Sequence, residues 1–230
     1  MPLSMIVTID GPAGTGKSTV SSQLADRLGA ECLDTGAMYR AASLLAVELG
    51  IAPDDGAAIA TAIEKVGIGF EWTKTPAPIL LGDRRVDGRI RDHDVNSIVS
   101  IVAEQSEVRK ALVQQQRCIG RDHPCLVTEG RDQGSVVFPD ATAKFYLDAT
   151  VDERAKRRIL QLDRAGKPAE AALIRRNIEE RDRIDSTRED SPLVRPEGAV
   201  TIDSSDLSID EVVDRMEQVV RDELDALRQA

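Results

Sequence analysis

The sequence has few of the residues that build metal clusters and disulfide frameworks. Its 230 residues include three cysteines (Cys32, Cys118 and Cys125) and two widely separated histidines (His93 and His123). The cysteines form no C-x-x-C pair, and an odd number argues against a disulfide scaffold. We therefore expect no metal site built from histidine and cysteine, and the cysteine usage predicts a reducing compartment such as the cytosol.

Long apolar runs and aromatic side chains are also scarce. No stretch of about 18 uncharged apolar residues occurs, so we expect no membrane span and no membrane partner. Residues 1–5 lack the basic segment of a signal peptide, which predicts a cytoplasmic protein. Apolar residues make up 41% and charged residues 30%, a balance typical of a globular fold, but aromatics reach only 3%. Aliphatic side chains must therefore fill the core.

Positive charge is scarce relative to negative charge. The formal net charge is −10, which argues against a nucleic-acid partner because a polyanion would be repelled. The distribution is uneven, however, since residues 151–195 carry 12 basic and 10 acidic side chains. A local basic cluster in an acidic protein favours a small, highly charged ligand.

Short apolar strands alternate with helical segments along most of the chain. This alternation predicts an α/β fold in which a five-stranded parallel sheet is flanked by helices on both faces. Two helix starts carry capping-box pairs, Thr150 with Glu153 and Ser208 with Glu211. The expected strands are 5–9, 31–34, 126–128, 143–147 and 200–202. The expected helices are 17–28, 37–49, 57–62, 97–119, 151–164, 169–183 and 209–228.

One region, residues 63–93, breaks this alternation. In residues 68–72, large apolar side chains at 68, 70 and 72 alternate with Gly69 and Glu71. Residues 79–86 contain two short strand-like runs, one on each side of Gly82. Such a pattern predicts a small antiparallel insert that contains a hairpin.

A phosphate-binding motif follows the first predicted strand. Gly11, Gly16, Lys17 and Ser18 match the Walker A spacing, with a strand before and a helix after. Glycines let the backbone N–H groups face phosphate oxygens, and the helix N-terminus adds partial positive charge. Lys17 supplies a charge for the β- and γ-phosphates, and the Ser18 hydroxyl suits Mg²⁺. The predicted nucleotide-binding residues are Gly11, Pro12, Ala13, Gly14, Thr15, Gly16, Lys17, Ser18 and Thr19.

Two further segments follow predicted strands and should reach the same crevice. In the segment 34–40, Thr35 and Arg40 could hold a second anionic group opposite the Walker A loop. The alternative is that Thr35 caps a helix and Arg40 lies on the surface. The segment 129–134 places an Arg-Asp pair between glycines, which suggests a loop shaped for close approach. A structural turn with an ion pair is the alternative there.

The basic cluster lies on two predicted helices. Residues 154–158 contain four basic side chains, and residues 181–188 contain three arginines. The sequence 164–168 separates the helices, so that 154–188 would form a helix–turn–helix flap over the Walker A loop. The alternative is an ordinary solvated, charged face.

Taken together, four segments resemble the bacterial cytidylate kinases. Their order and spacing cover nearly the whole chain and leave room for an insert at the expected place. The resemblance implies a P-loop kinase fold that transfers the γ-phosphoryl group of ATP to CMP or dCMP, with Mg²⁺ and as a monomer. It implies one domain over 1–230, a nucleoside-monophosphate-binding insert at 63–100, and a short helical lid within 154–188. The four segments are 9–18, 33–40, 129–141 and 203–212.

The resemblance also implies roles for individual residues. The acceptor phosphate would be held by Thr35, Arg40, Arg131 and Arg188. The cytosine would be read by Ser100, Arg109 and Asp132. The sugar would contact Arg181 and Asp185. Ser18 would bind the metal ion, and either Glu129 or Asp34 would support the ion from outside its direct ligands. The catalytic set would be Lys17, Arg131, Arg157, Arg158 and Arg188, with Arg157 and Arg158 in the lid.

Two other functions fit parts of the pattern. A P-loop kinase of another small metabolite would need an aspartate to deprotonate a hydroxyl acceptor, and Asp34 could serve. A nucleoside monophosphate needs no such base, because its second pKa is about 6 and its phosphate oxygen is free at neutral pH. A GTPase-like switch is less favoured, since no Asn/Thr-Lys-x-Asp tetrapeptide occurs.

Overall fold

The computed structural model describes residues 4–73, 76–164, 166–167 and 170–229. Its centre is a sheet of five parallel strands in the order β2-β6-β1-β7-β8, which confirms the predicted α/β class. A second, antiparallel sheet has the order β3-β4-β5. The strands are β1 (Met5–Asp10), β2 (Glu31–Asp34), β3 (Ile68–Phe70), β4 (Ile79–Leu81), β5 (Arg84–Arg85), β6 (Cys125–Gly130), β7 (Ala143–Asp148) and β8 (Val200–Asp203).

Helices cover both faces of the parallel sheet. No helix of the described residues is long and apolar enough to cross a membrane. A short π-helical turn, Gln133–Val137, follows β6. The helices are α1 (Lys17–Leu28), α2 (Thr35–Leu49), α3 (Gly56–Val66), α4 (His93–Glu104), α5 (Ser106–Asp122), α6 (Val151–Arg164), α7 (Ala171–Thr187) and α8 (Ile209–Gln229).

Aliphatic side chains fill two layers of core, one on each face of the sheet. The strands are nearly continuous apolar runs because both of their faces are covered. Strand β7 differs, because it alternates: Ala143, Phe145 and Leu147 are buried, and the residues between them are partly exposed. One layer lies under α2, α3, α4 and α5, and the other lies under α1 and α8. Since every strand runs the same way, the carboxyl ends of all five meet at one edge.

The predicted insert is present as the antiparallel sheet. Strands β4 and β5 pair antiparallel around Gly82, which has a φ of +57°. Trp72, just after β3, stacks on the ring of His123, with ring centroids 4.3 Å apart. This contact fastens the insert to the segment before β6, on the side of the sheet opposite the carboxyl-end edge.

The single helix predicted over 97–119 is two helices, and that prediction was wrong. Gln105 adopts an extended backbone (φ −70°, ψ 118°) between α4 and α5. The Arg109 guanidinium donates to the Ala103 carbonyl oxygen at 3.1 Å, which satisfies a group at the free end of α4. Residues 104–107 are all polar, and a polar turn also occurs on the solvent face of continuous helices, so the pattern alone does not reveal the break.

The two predicted capping boxes have different outcomes. Ser208 and Glu211 form a complete box, in which the Glu211 carboxylate accepts from the Ser208 N–H at 2.9 Å and the Ser208 Oγ accepts from the Glu211 N–H at 3.3 Å. At the start of α6 only half of the box forms. The Thr150 hydroxyl accepts from the Glu153 N–H, but the Glu153 carboxylate accepts from the Arg157 guanidinium at 3.1 Å instead. A nearby arginine competes successfully for that carboxylate.

The two helices of the 154–188 flap pack on each other through a small apolar cluster. Ala155 of α6 lies against Ile174 and Ile178 of α7. Within the predicted break at 164–168, residues 165 and 168 lie outside the described residues.

Candidate active site

The Walker A loop joins β1 to α1 at the carboxyl-end edge of the sheet. Gly11 has a φ of +149°, and a Cβ built on it would lie 2.0 Å from the Leu147 carbonyl oxygen, so only glycine fits there. Gly16, with a φ of +95°, precedes the first turn of α1, and no side chain caps that turn. The Thr19 N–H donates to the Gly16 carbonyl oxygen at 3.1 Å, but the N–H groups of Lys17 and Ser18 have no such backbone partner among the described residues and can bind an anion.

Lys17 is buried and folds back onto its own loop. Its Nζ donates to the Pro12 carbonyl oxygen at 2.6 Å, with the Thr15 Oγ1 3.4 Å away. Burial, together with the positive charges of Arg131 and Arg181, lowers the pKa of Lys17 to about 7. A bound phosphate would supply the negative charge that favours the ammonium form.

Ser18 contacts the carboxylate of Glu129, which comes from the end of β6. The Ser18 Oγ donates to the Glu129 Oε1 at 2.5 Å. Burial and the neighbouring Asp34 carboxylate raise the pKa of Glu129. Asp34 is the register partner of Glu129 on β2, but one of its oxygens caps α2 by accepting from the Ala37 N–H at 2.9 Å. Of the two acids that the sequence left open, Glu129 is the one in contact with Ser18.

These oxygen donors fit Mg²⁺. A hydroxyl and a carboxylate stand beside a phosphate-binding loop, and Mg²⁺ is usually held by one or two carboxylates together with substrate phosphates. Among the described residues, no group of three or more His, Cys, Asp or Glu side chains could hold a metal ion. The protein thus offers the partial ligand set that a nucleotide-bound ion requires.

Thr35 and Arg40 lie at the start of α2. The helix cap is Asp34, so the alternative that Thr35 serves as the cap is wrong. The buried Thr35 Oγ1 donates to the Glu129 carbonyl oxygen at 2.7 Å. Arg40 is partly buried and donates to the Asn96 Oδ1 at 2.5 Å. Burial lowers the pKa of Arg40 to about 10, and the charge of Arg181 adds to this effect, so Arg40 is not an ordinary surface arginine.

Arg131, on the loop after β6, meets α7. Its Nε donates to the Asp185 Oδ2 at 2.7 Å. Burial alone would lower the pKa of Arg131, but the Asp185 carboxylate outweighs that effect and raises it. The same pairing, with Arg181 nearby, holds the pKa of Asp185 below its usual value even though burial acts the other way. Arg188 completes the group, with its NH1 3.8 Å from the Asp185 Oδ1.

Arg188 is held in place by strained backbone. Its Nε donates to the Ser191 carbonyl oxygen at 2.8 Å. Ser191 has a φ of +52° and is the only non-glycine residue with a positive φ in the described part of the chain. One terminal nitrogen of Arg188 and the Nε of Arg181 are buried without a hydrogen-bond partner among the described residues. Both groups are available to an anionic ligand.

Arg109 and Asp132 form a buried ion pair, each with 4% of its side chain exposed. The Arg109 guanidinium lies over the Tyr39 ring, 5.3 Å from its centroid. The Tyr39 hydroxyl and the Arg109 Nε are buried and lack a partner among the described residues. The ion pair alone would fit a structural role, but the arrangement also leaves these polar atoms unused. Ser100 lies on α4, partly buried, and is not hydrogen-bonded to this pair in the structure as described.

Of Arg154, Arg157 and Arg158 on α6, two bind the backbone of the Walker A loop and the third is exposed. Arg154 is buried and donates to the Ala13 carbonyl oxygen at 3.2 Å and to the Asp182 Oδ2 at 2.6 Å. Arg157 donates to the backbone carbonyls of Thr15 and Ser204, at 3.2 and 2.5 Å. Both residues brace the Walker A loop. Arg158 is exposed and donates to the Gln161 Oε1 at 2.6 Å, so it alone of the three is loosely held.

Three residues of this region were missed by sequence reasoning. The Ser204 hydroxyl accepts a hydrogen bond from Arg157, and the Tyr39 ring lies under the Arg109 guanidinium. The Asp10 carboxylate accepts from two backbone N–H groups after β6. A signal existed for Asp10 and Ser204, because polar residues at the carboxyl ends of parallel strands face the site. Tyr39 carried no distinguishing signal.

Comparison with known proteins shows which family this chain belongs to. The family description "Cytidylate kinase" matches residues 7–222. A cytidylate kinase of Nocardia farcinica is 43% identical over 96% of this chain and 95% of its own length. One of Geobacter sulfurreducens is 42% identical over 95% and 93%. A bifunctional pantoate ligase/cytidylate kinase of Prochlorococcus marinus is 45% identical, with this chain spanning 44% of its length.

A solved structure supports the fold alone. An uncharacterized protein from Eubacterium ventriosum superposes with a TM-score of 0.52 at 11% identity, covering 94% of this chain and 98% of that one. The two cytidylate kinases show the family as well as the fold, because they match at more than 40% identity over nearly their full length. This chain therefore belongs to the cytidylate kinase family.

Proposed function

We propose that this protein transfers the γ-phosphoryl group of ATP to CMP or dCMP, releasing ADP and CDP or dCDP. The observation that carries the proposal is a cluster of cationic side chains at the carboxyl-end edge of the sheet. Burial and repulsion from neighbouring cations together lower the pKa values of Lys17 and Arg40: Arg131 and Arg181 repel Lys17, and Arg181 repels Arg40. Such mutual repulsion is relieved when several phosphate groups bind between the cations.

The donor side is the Walker A loop. Its free N–H groups suit the phosphates of ATP, and Lys17 can leave the Pro12 carbonyl for the β- and γ-phosphate oxygens. Magnesium, when bound, neutralises charge on those oxygens, and Ser18 with Glu129 would hold it. Arg154 and Arg157 keep the loop in shape by binding its carbonyls.

The acceptor side lies across the crevice from that loop. Arg40, Arg131 and Arg188, with Thr35, would hold the phosphate of CMP. Arg181 and Asp185 would contact the sugar. The Arg109–Asp132 pair would read the cytosine, because a carboxylate accepts from the N4 amino group and an arginine donates to the ring acceptors. Uracil presents the opposite pattern at two of these positions.

The chemistry needs positioning more than proton transfer. A phosphate oxygen of CMP attacks the γ-phosphorus, and the bond from that phosphorus to the β–γ bridging oxygen breaks, so that ADP leaves. The attacking oxygen is already deprotonated at neutral pH, so the protein need not supply a base. Asp34 is occupied in capping α2, and the metabolite-kinase alternative therefore gains no support from the structure.

The same proposal extends to the parts of the chain. Within one domain, 1–230, the insert 63–100 would form the monophosphate side. Its last residues, 93–100, belong to α4, where the Asn96 Oδ1 accepts from Arg40 at 2.5 Å. The segment 154–188 would be the lid. We also propose that the protein is monomeric and acts in the cytoplasm in pyrimidine nucleotide metabolism.

A panel of nucleoside monophosphates tests this function directly. With ATP and Mg²⁺, ADP formation should be fast with CMP and dCMP and much slower with UMP, AMP and GMP. Lys17→Ala should abolish most of the rate, whereas Lys65→Ala, on an exposed surface of α3, should match the wild type. Equal rates with all five acceptors, or ADP formation that does not depend on the acceptor, would overturn the proposal.

A further inference from the structure

The side chain of Asp10 is completely buried at the end of β1. Both of its carboxylate oxygens are used: Oδ1 accepts from the Gln133 N–H at 2.8 Å, and Oδ2 accepts from the Gly134 N–H at 2.7 Å. These partners lie more than 120 residues away in sequence. No function described above makes use of this carboxylate.

The loop that Asp10 holds carries two residues of the acceptor side. Arg131 and Asp132 directly precede the two amides that Asp10 binds. Arg131 points to Asp185 on α7, and Asp132 points to Arg109 on α5. A shift of the loop backbone would therefore displace both of them at once.

Asp10 also stands immediately before the Walker A loop. Asp10 and Gly130 are register partners in the β1–β6 ladder, and Gly11 begins the donor loop. We propose that Asp10 is a positioning residue that clamps the loop 130–134 to the start of the Walker A loop. It thereby sets the distance between the acceptor groups and the transferring phosphoryl. This inference rests on the proposed function.

A second set of contacts reinforces the clamp. The Gln133 side chain accepts from the Thr128 hydroxyl at 2.9 Å and donates to the Gln116 Oε1 at 3.1 Å. Its amide nitrogen also lies 3.3 Å from the Asp132 Oδ1. The residue whose N–H meets Asp10 is thus anchored on its other side to β6 and α5.

The nature of the group argues against a role in stability alone. Burial raises the pKa of Asp10 to about 6, even though the hydrogen bonds from the Gly134 and Gln133 N–H groups act in the opposite direction. A buried, charged carboxylate is therefore costly at neutral pH. A carboxylate is nevertheless suited to this place because both of its oxygens accept, whereas an amide side chain offers one acceptor and one donor.

The variant Asp10→Asn tests the clamp with little change in shape. One of the two amides would then face an N–H group and lose its bond. We expect the KM for CMP to rise and kcat to fall, with kcat/KM for CMP lower by about tenfold to a hundredfold, because small misplacements of binding groups have effects of this size. The CMP-over-UMP ratio should fall as well, since Asp132 moves. The Kd for ATP alone should change by less than about threefold.

Amide hydrogen exchange on the nucleotide-free protein tests the clamp without relying on any activity. In the wild type, the amides of Gln133 and Gly134 should be protected, and in Asp10→Asn the exchange of at least one should speed up. Asp10→Ser, which keeps one acceptor oxygen, is a second variant if Asp10→Asn fails to fold. Asp55→Asn is the matched control, because Asp55 caps α3 by accepting from the Ala58 N–H at 3.0 Å, away from the site.

The outcomes separate the clamp from the proposed function. Rapid exchange of both amides in the wild type overturns the clamp, whatever the enzyme does. Variants that lose thermal stability but keep wild-type kinetics and CMP-over-UMP ratio reduce Asp10 to a structural residue and also overturn the inference. If the wild type fails to phosphorylate CMP while the exchange results hold, the proposed function is wrong and the clamp between the two loops stands.

Discussion

Among the side chains of the site, Lys17 is the one whose charge and hydrogen bonding depend most on whether a ligand occupies the crevice. In the structure its ammonium group donates to the Pro12 carbonyl, and burial with neighbouring arginines lowers its pKa to about 7. Bound ATP would replace that carbonyl with phosphate oxygens and restore the charge. Lys17 should therefore matter more for the rate than for holding ATP.

Removal of the charge tests this directly. Lys17→Ala should lower kcat by about a hundredfold or more, because a preorganised charge near the transferring phosphoryl is lost. The Kd for ATP, measured by equilibrium binding without CMP, should rise much less. A variant with near-normal kcat would contradict the role of the Walker A lysine.

The pH dependence should carry the signature of the same group. Lys17 is charged below about pH 7 in the free protein, so kcat/KM for ATP should decline as pH rises above 7. The kcat at saturating ATP should stay level to higher pH. Lys17→Arg, which stays charged, should lack the decline at a lower overall rate. A decline of equal position in kcat and in kcat/KM would point to a different group.

Stability should respond to Lys17 with the opposite trend. Above pH 7 the folded protein holds Lys17 neutral, whereas the unfolded chain keeps it charged up to its ordinary pKa of 10.5. The unfolded state then binds more protons, so the contribution of this group to the free energy of unfolding increases with pH across that window. The Tm of the wild type relative to Lys17→Met should rise from pH 7 to 9. An unchanged difference would show that the pKa is not lowered.

Base reading and phosphate binding should separate when Asp132 and Arg40 are compared. Asp132→Ala should lower the CMP-over-UMP ratio of kcat/KM by about tenfold or more, since a buried polar site that loses its partner discriminates poorly. Arg40→Ala should harm both substrates alike because both carry the phosphate. If Asp132→Ala leaves the ratio untouched, the base is read elsewhere.

At the scale of elements, the lid helices are held unequally. The first turns of α6 are fixed to the Walker A loop through Arg154 and Arg157, whereas Arg158 and the following turn are largely exposed. The apolar cluster between α6 and α7 is small, so little buried area opposes local opening. The part of the lid beyond Arg157 should therefore be its mobile portion.

Hydrogen exchange tests the movement of the lid. When ATP and CMP mimics bind together, exchange should slow over α6 after Arg157, because Arg158 gains an anionic partner, and over the first turns of α7, because they pack on that part of α6. The first turn of α6 should be protected throughout. Exchange of α8, which lies against the other face of the sheet, serves as the internal control. Unchanged exchange beyond Arg157 would remove the lid and leave nucleotide binding intact.

Local patterns predicted most of these elements. The Walker A loop, the parallel strands, the hairpin and α8 are each visible in a few consecutive residues, and the structure confirms them. The break at Gln105 was not predictable, because the polar stretch 104–107 could equally be a solvent-facing turn of one continuous helix. The bracing roles of Arg154 and Arg157 were also hidden, since their partners are backbone carbonyls about 140 residues away. The ligand contacts implied by the family resemblance stay predictions.

For the whole molecule, the charge distribution fits the proposed substrates. The chain carries a net charge of −10, yet its sheet edge gathers cations in one crevice. An acidic surface disfavours nucleic acid, and a local positive site still admits a small polyanion such as ATP. The acidic surface and the cationic crevice together thus favour small anionic ligands over large ones.

The central claim is the transfer of a phosphoryl group to a cytidine nucleotide, and the fate of that group measures it most directly. ATP labelled at the γ-phosphorus would be incubated with CMP, Mg²⁺ and the protein, and the labelled product identified. The account predicts label in the β-phosphate of CDP, with little in inorganic phosphate. Label that appears as inorganic phosphate, or CMP that remains unlabelled while ATP is consumed, would contradict the account.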